Sequence, residues 1–327
     1  MSIGSVIANR TRRQLRLAVA APPALCAALA ALVVGMPTMA TAADADPPIE
    51  LAVRFDDMGM CHSVNAAVRQ VIASGIPLST SVMIACPWYL EAAEILKDHP
   101  EVGVGIHLTL NSEWGHYKWG PVLGASRVPS LVDANGHFYA SESEFRAAAV
   151  DPDEVRSELR AQIERALRAG LRIDYLDAHM LMAYATPELR AIVEELAREF
   201  GLGIALYFEE RSASLWDVAP EKKLPTLLDF VDRLEAGLNL LVIHPGLDTP
   251  EMAAMVDMNY AEDPFRVSRH RQAEIDAITS PAFRSAVAAR GIRLVTYHDI
   301  MTERGRDAMV RPAEISGYEV SLVDEEE

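Results

Sequence analysis

Asp56 and Asp57 stand side by side at the end of an apolar run, in RFDDMGMCHSVN over 54–65. Two adjacent anions repel each other and lose hydration if buried, so such a doublet persists cheaply only in water or beside a cation. His107 lies within VGVGIHLTL, Asp177 and His179 within YLDAHM, and His244 within LVIHPG, while His298-Asp299 closes a further apolar run. Imidazole and carboxylate are the nitrogen and oxygen ligands that a borderline divalent cation such as zinc accepts, and a catalytic centre keeps one position open for water. One Asp and two His make such a centre. One carboxylate of the doublet then holds the cation while its neighbour takes a proton from water. A single His or Asp behind a strand is ordinarily a helix cap or a satisfied core group. Several at the same end of successive strands, two of them in apolar surroundings, argue instead for a shared cation.

The elements that must gather these residues are short apolar runs alternating with longer amphipathic stretches, the pattern of parallel strands buried under helices. Strands are expected over 50–55, 79–85, 103–108, 173–176, 203–208, 240–243 and 293–297, and helices over 63–74, 88–98, 153–169, 187–200, 224–236 and 281–289. This alternation predicts an α/β fold, a closed or nearly closed β/α barrel, with an open doubly wound sheet as the alternative. In a barrel every strand ends on one face, so residues spread from 56 to 299 converge there. Neighbouring strand residues point to opposite sides, and the doublet therefore needs a backbone turn to serve one site. Met58-Gly59 is expected to supply it.

Residues 1–42 stand apart from this pattern. Arg10, Arg12, Arg13 and Arg16 precede an Ala-rich apolar stretch with Pro22-Pro23 and a small-residue cleavage pattern at Ala40-Thr41-Ala42, which reads as an export signal. Thr11 to Leu17 resembles a twin-arginine address, so the mature protein is expected in the bacterial periplasm, free of the membrane once processed. The signal carries four of the 30 basic residues and none of the 47 acidic ones, so its removal takes the net charge from −17 to −21. A chain this acidic is not expected to bind nucleic acid. About 285 residues remain, a size that suits one large domain over 43–302 followed by an acidic tail over 303–327, expected to be loosely ordered. Cys61 and Cys86 survive processing, and both a disulfide and two idle thiols are open.

Together the stretches 55–87, 102–122, YLDAHM and LVIHPG resemble the YdjC-like carbohydrate deacetylase family, which includes chitooligosaccharide and hopanoid-sugar deacetylases; the similarity runs from about Glu50 to Ile300. The resemblance implies a distorted β/α barrel related to polysaccharide deacetylases, and one divalent ion, Zn2+ or Mg2+. It implies hydrolysis of an N-acetyl group from an amino sugar. By position, Asp57, His107 and His179 match the metal ligands, Asp56 the catalytic base, and His244 the residue that assists as acid or oxyanion partner. Asp177 is expected to orient a ligand or base. Departures are Arg54-Phe55 where relatives often have Asn-Ala, Ala178 where Ser is frequent, and Met180-Leu181-Met182 where further histidines are common. The loop at 111–122 carries Glu113, Trp114, His116, Tyr117 and Trp119; its aromatics either stack on a sugar or pack among themselves. Arg271 is a candidate to orient a site carboxylate, although a lone helical Arg is more often a surface ion pair. His298-Asp299 is expected to cap the final segment, and His62 to cap or face solvent. The alternatives are another metallohydrolase, cleaving a different amide or a phosphate ester, and a catalytically silent exported binding protein.

Overall fold

The computed structural model describes residues 47–260, 262–315 and 321–322. The export signal expected over 1–42 lies outside the described residues. Among the described residues eight strands are formed: β1 (Ile49–Met58), β2 (Ser79–Val82), β3 (Gly103–Leu108), β4 (Tyr175–Ala178), β5 (Gly203–Ile204), β6 (Arg211–Ser214), β7 (Gly237–Ile243) and β8 (Arg293–Val295). Every pairing is parallel, in the order β5-β4-β3-β2-β1-β7-β6, with β8 also against β1. The terminal strands β5 and β6 do not pair with each other, so the sheet curls into a distorted, incomplete barrel. Nine of the ten β1 residues are buried, because neighbours occupy both edges and helices cover the sheet.

The α-helices among the described residues are α1 (His62–Ser74), α2 (Tyr89–Lys97), α3 (Glu142–Ala147), α4 (Pro152–Arg168), α5 (Pro187–Phe200), α6 (Lys223–Arg233), α7 (Pro250–Ala253), α8 (Val267–Thr279), α9 (Pro281–Ala289) and α10 (Tyr297–Glu303). Their starts are written locally. Asp151, Thr186, Thr249 and Ser280 each accept a backbone N–H of the first turn, and each is followed by a proline whose missing N–H costs nothing there. Thr296 and Asp299 form a capping box on α10. The expected role of Asp299 holds, while His298 binds Asp174 at 2.9 Å, away from the strand ends.

Two expectations changed. The strand β6 and the short helices α3 and α7 were not foreseen, helix α8 was read only around Arg271, and residues 306–315 lie against α5 instead of trailing loosely. Val310 N–H donates to the Tyr207 carbonyl, Arg190 Nη2 to that of Pro312, and Arg311 pairs with Glu194. Cys61 and Cys86 are both buried free thiols. Among the described residues, no helix is long and apolar enough to cross a membrane.

Candidate metal centre and active site

The doublet is shaped by an irregularity in β1. Phe55 pairs with Thr80 and Met58 with Val82, so Asp56 and Asp57 together face the single residue Ser81. Asp57 takes φ 65°, in the left-handed region that Asp tolerates better than most residues. The turn therefore falls on Asp57 itself, one residue before the expected Met58-Gly59, and it swings consecutive carboxylates into one site. Gly59, at φ 90°, is tied down by its N–H to Asn65 Oδ1 at 2.7 Å.

Asp57 Oδ1 lies 3.3 Å from His107 Nε2 and 3.3 Å from His179 Nδ1. It is buried with no hydrogen-bond partner among the described residues. Each imidazole is turned by a carboxylate on its far nitrogen: His107 Nδ1 meets Asp177 Oδ1 at 2.9 Å, and His179 Nε2 meets Glu113 Oε2 at 3.0 Å. This is the arrangement that fixes the tautomer of a metal-ligating histidine. Asp177 stands directly behind His107. Glu113 was seen only as part of the aromatic loop, and nothing in its local sequence marks it out, because its partner is 66 positions away.

Two guanidinium ions complete the cluster. Arg54 forks onto Asp56 at 2.7 and 2.8 Å and lies 3.2 Å from Asp177, while Arg271 Nη2 meets Asp57 Oδ2 at 2.5 Å. Both are buried, so Arg271 is a site residue and not a surface ion pair. Gly246 of the HPG motif permits this, since a Cβ there would stand 2.9 Å from Arg271 Cβ. Burial pushes the Asp56 carboxyl above its ordinary value, with Arg54 opposing. Burial would also raise Asp57, but Arg271 and the two imidazoles outweigh it and hold this carboxyl well below the usual range.

The residues fit a divalent cation on two observations. One is the orphaned Asp57 Oδ1 between two imidazole nitrogens, with Asp57, His107 and His179 close enough to share an ion. The other is charge. Buried Asp56, Asp57, Glu113 and Asp177 against buried Arg54 and Arg271 leave a formal −2 with neutral imidazoles, which a divalent ion cancels. Without an ion the histidines take up protons instead. Burial opposes their charging, yet Glu113 and Asp57 push His179 up to about 9, and Asp177 and Asp56 hold His107 well above its ordinary value.

His244, just past β7, lines the same cavity as Asp56, Asp57, His107 and His179, a space of ≈ 310 Å³ bounded also by Trp114, Leu181, Trp216 and Tyr260. Its ring packs on Trp216 at 5.0 Å. Burial drives its pKa well below the ordinary value, so the resting ring is neutral and not the imidazolium an acid would be. Of the three loop aromatics only Trp114 lines the cavity. Tyr117 Oη donates to the Met60 carbonyl and Trp119 Nε1 to that of Asn111 at 2.7 Å, so these two brace the loop instead of covering substrate. His62 and His116 are exposed, and His62 bonds Glu91 at 2.9 Å. Met180 and Leu181, both at positive φ directly after His179, form a wall shared with a neighbouring cavity of ≈ 520 Å³.

The chain is similar to known proteins along most of its length. A family model described as YdjC-like protein matches residues 50–289. A carbohydrate deacetylase of Brevibacillus brevis is 25% identical over 264 residues, covering 77% of this chain and 100% of the relative. One from Geobacillus stearothermophilus is 29% identical over 256 residues, covering 76% and 96%. The crystal structure of an Enterococcus faecalis protein described as a candidate cellobiose-phosphate cleavage protein aligns with TM-score 0.63 and 25% identity, covering 77% of this chain and 99% of that one.

Proposed function

The chain belongs to the YdjC-like protein family, and on that premise we propose that it is a metal-dependent carbohydrate deacetylase, a hydrolase that releases acetate from an N-acetylated amino sugar, its oligomer or a glycolipid. The observation that carries this reading is the unpartnered Asp57 Oδ1, held between two imidazoles that are each backed by a carboxylate. Its relatives from Brevibacillus brevis and Geobacillus stearothermophilus, both carbohydrate deacetylases, support it.

A divalent cation held by Asp57, His107 and His179 would supply Lewis-acid polarisation of the acyl carbonyl and make water at the site more acidic. The remaining work belongs to the chain. Asp56 is aimed by the Arg54 fork and, being raised by burial, is suited to accept the proton of the attacking water. The amine leaves poorly without a proton. His244, on the same cavity wall, is placed to donate one to it or a hydrogen bond to the oxyanion. Trp114, Trp216 and Tyr260 give the cavity aromatic walls suited to the apolar face of a sugar.

The test is acetate release from N-acetylglucosamine oligomers and glycolipid sugars after loading with zinc, magnesium, manganese or cobalt. Asp56→Asn is expected to abolish release while retaining the ion by elemental analysis. A metal-loaded enzyme that releases no acetate across the panel would sink the assignment. A second reading, hydrolysis of a phosphate ester, is tested by adding cellobiose phosphate to the panel, because the Enterococcus faecalis structure is described as a candidate cellobiose-phosphate cleavage protein. Phosphate release without acetate would select it. Residues 10–42 support export to the periplasm, and the mature N-terminus of the secreted protein tests that reading.

A further inference from the structure

Below His244 lies a buried ion pair that the chemistry above does not use. Lys223 and Glu274 are both fully buried, with Nζ to Oε1 at 2.8 Å, and Lys223 also donates to the Leu215 carbonyl at 2.7 Å. The other Glu274 oxygen, Oε2, accepts the backbone N–H of His244 at 2.6 Å and stands 3.9 Å from its Nδ1. That Nδ1 is buried and has no hydrogen-bond partner among the described residues. Both Glu274 oxygens thus act as acceptors, the pattern of an ionised carboxylate. A buried ion pair is seldom worth its desolvation for stability alone.

We propose, on the reading that His244 protonates the leaving amine, that Glu274 is the positioning residue for this acid, with Lys223 holding Glu274 in place. When the ring takes up its second proton from solvent in the open cavity, Nδ1–H closes on Glu274 Oε2, which fixes the imidazolium and adds a counter-charge directly behind it. As the C–N bond breaks, its electron pair stays on the amine nitrogen, which takes the proton from Nε2, and the ring returns to neutral. The slack of 3.9 Å at Nδ1 suits this cycle, since a neutral ring bare at Nδ1 has nothing to offer the carboxylate.

The experiment compares an N-acetylated chitooligosaccharide with 4-nitrophenyl acetate, whose phenolate leaves without a proton, on metal-loaded enzyme. Glu274→Gln keeps an acceptor for the His244 N–H and removes the charge. It is expected to lower kcat on the amide about tenfold or more with KM little changed, while the ester rate falls by less than about threefold. Equal losses on both substrates, or no loss on the amide, overturn the proposal. The Lys223→Met/Glu274→Gln double variant removes both charges together and is read the same way if the single variant does not fold. His244→Ala separates the two layers. If it spares the amide, the acid reading fails and the inference with it; if it is amide-selective and the Glu274 variants are not, the inference alone fails.

Discussion

Metal uptake by this protein should expel protons, and the number follows from the charges in the cluster. Four buried carboxylates and two buried guanidinium ions leave a formal −2, which the metal-free protein balances by charging His107 and His179. Asp57 is already ionised, its pKa being held low by Arg271 and the imidazoles against the effect of burial. An incoming divalent ion needs both imidazoles neutral. At pH 7 about two protons should therefore leave per ion bound, and the apparent association constant should rise about 100-fold per pH unit, or about 2.7 kcal/mol at 1.36 kcal/mol per proton. The slope should fall as pH passes about 9, where His179 loses its own proton. Titration calorimetry at pH 7 in buffers of different ionisation enthalpy counts the protons. Stoichiometric binding with no proton release would refute the reasoning. The same histidines set the sign of a stability change. Their pKa values are raised on folding, so their contribution is full below the unfolded value near 6.5 and is lost as pH rises towards about 9. The Tm of chelator-treated protein should fall between pH 7 and 9, while that of the metal-loaded protein should hold.

Three further outcomes follow. Glu113→Gln should weaken metal affinity about 10- to 100-fold by loosening the tautomer and aim of His179, read by competition with a chromogenic chelator. Gly246→Ala should force Arg271 off Asp57 and cost about 1–3 kcal/mol in urea unfolding, because the new Cβ would meet backbone-proximal side-chain carbon at 2.9 Å. Arg54→Met should cost about 3–5 kcal/mol, leaving Asp56 and Asp177 buried without their cation, and its kcat should fall with the aim of Asp56 lost.

The elements that the sequence placed well are those whose burial is apolar. β3 matches its expected 103–108, and α5 and α9 match 187–200 and 281–289, because apolar runs and Thr or Ser caps followed by proline are local signals. Two of the misses have polar residues where an apolar run would mark an element. Helix α8, read only around Arg271, buries Ser268, His270, Arg271 and Glu274 beside Val267, Ile275 and Ile278, so polar residues interrupt its apolar stripe. β6 reads Arg-Ser-Ala-Ser, with no apolar run to mark a strand. From α8, Arg271 reaches the cavity itself.

The sequence by itself determined which residues stand at strand ends, and with them Asp56, Asp57, His107, Asp177, His179 and His244, since patterning and parallel topology alone put those ends on one face. It also carried the family, through four motifs in order. Tertiary structure decided how the charges are shared: that Arg54 takes Asp56, that Arg271 takes Asp57 across 214 positions, and that Glu113 and Glu274 stand behind His179 and His244. Periodicity reports burial along one segment, whereas an ion pair depends on distance through space between side chains from different segments. That distance exists only once the barrel has curled and Asp57 has turned out of β1.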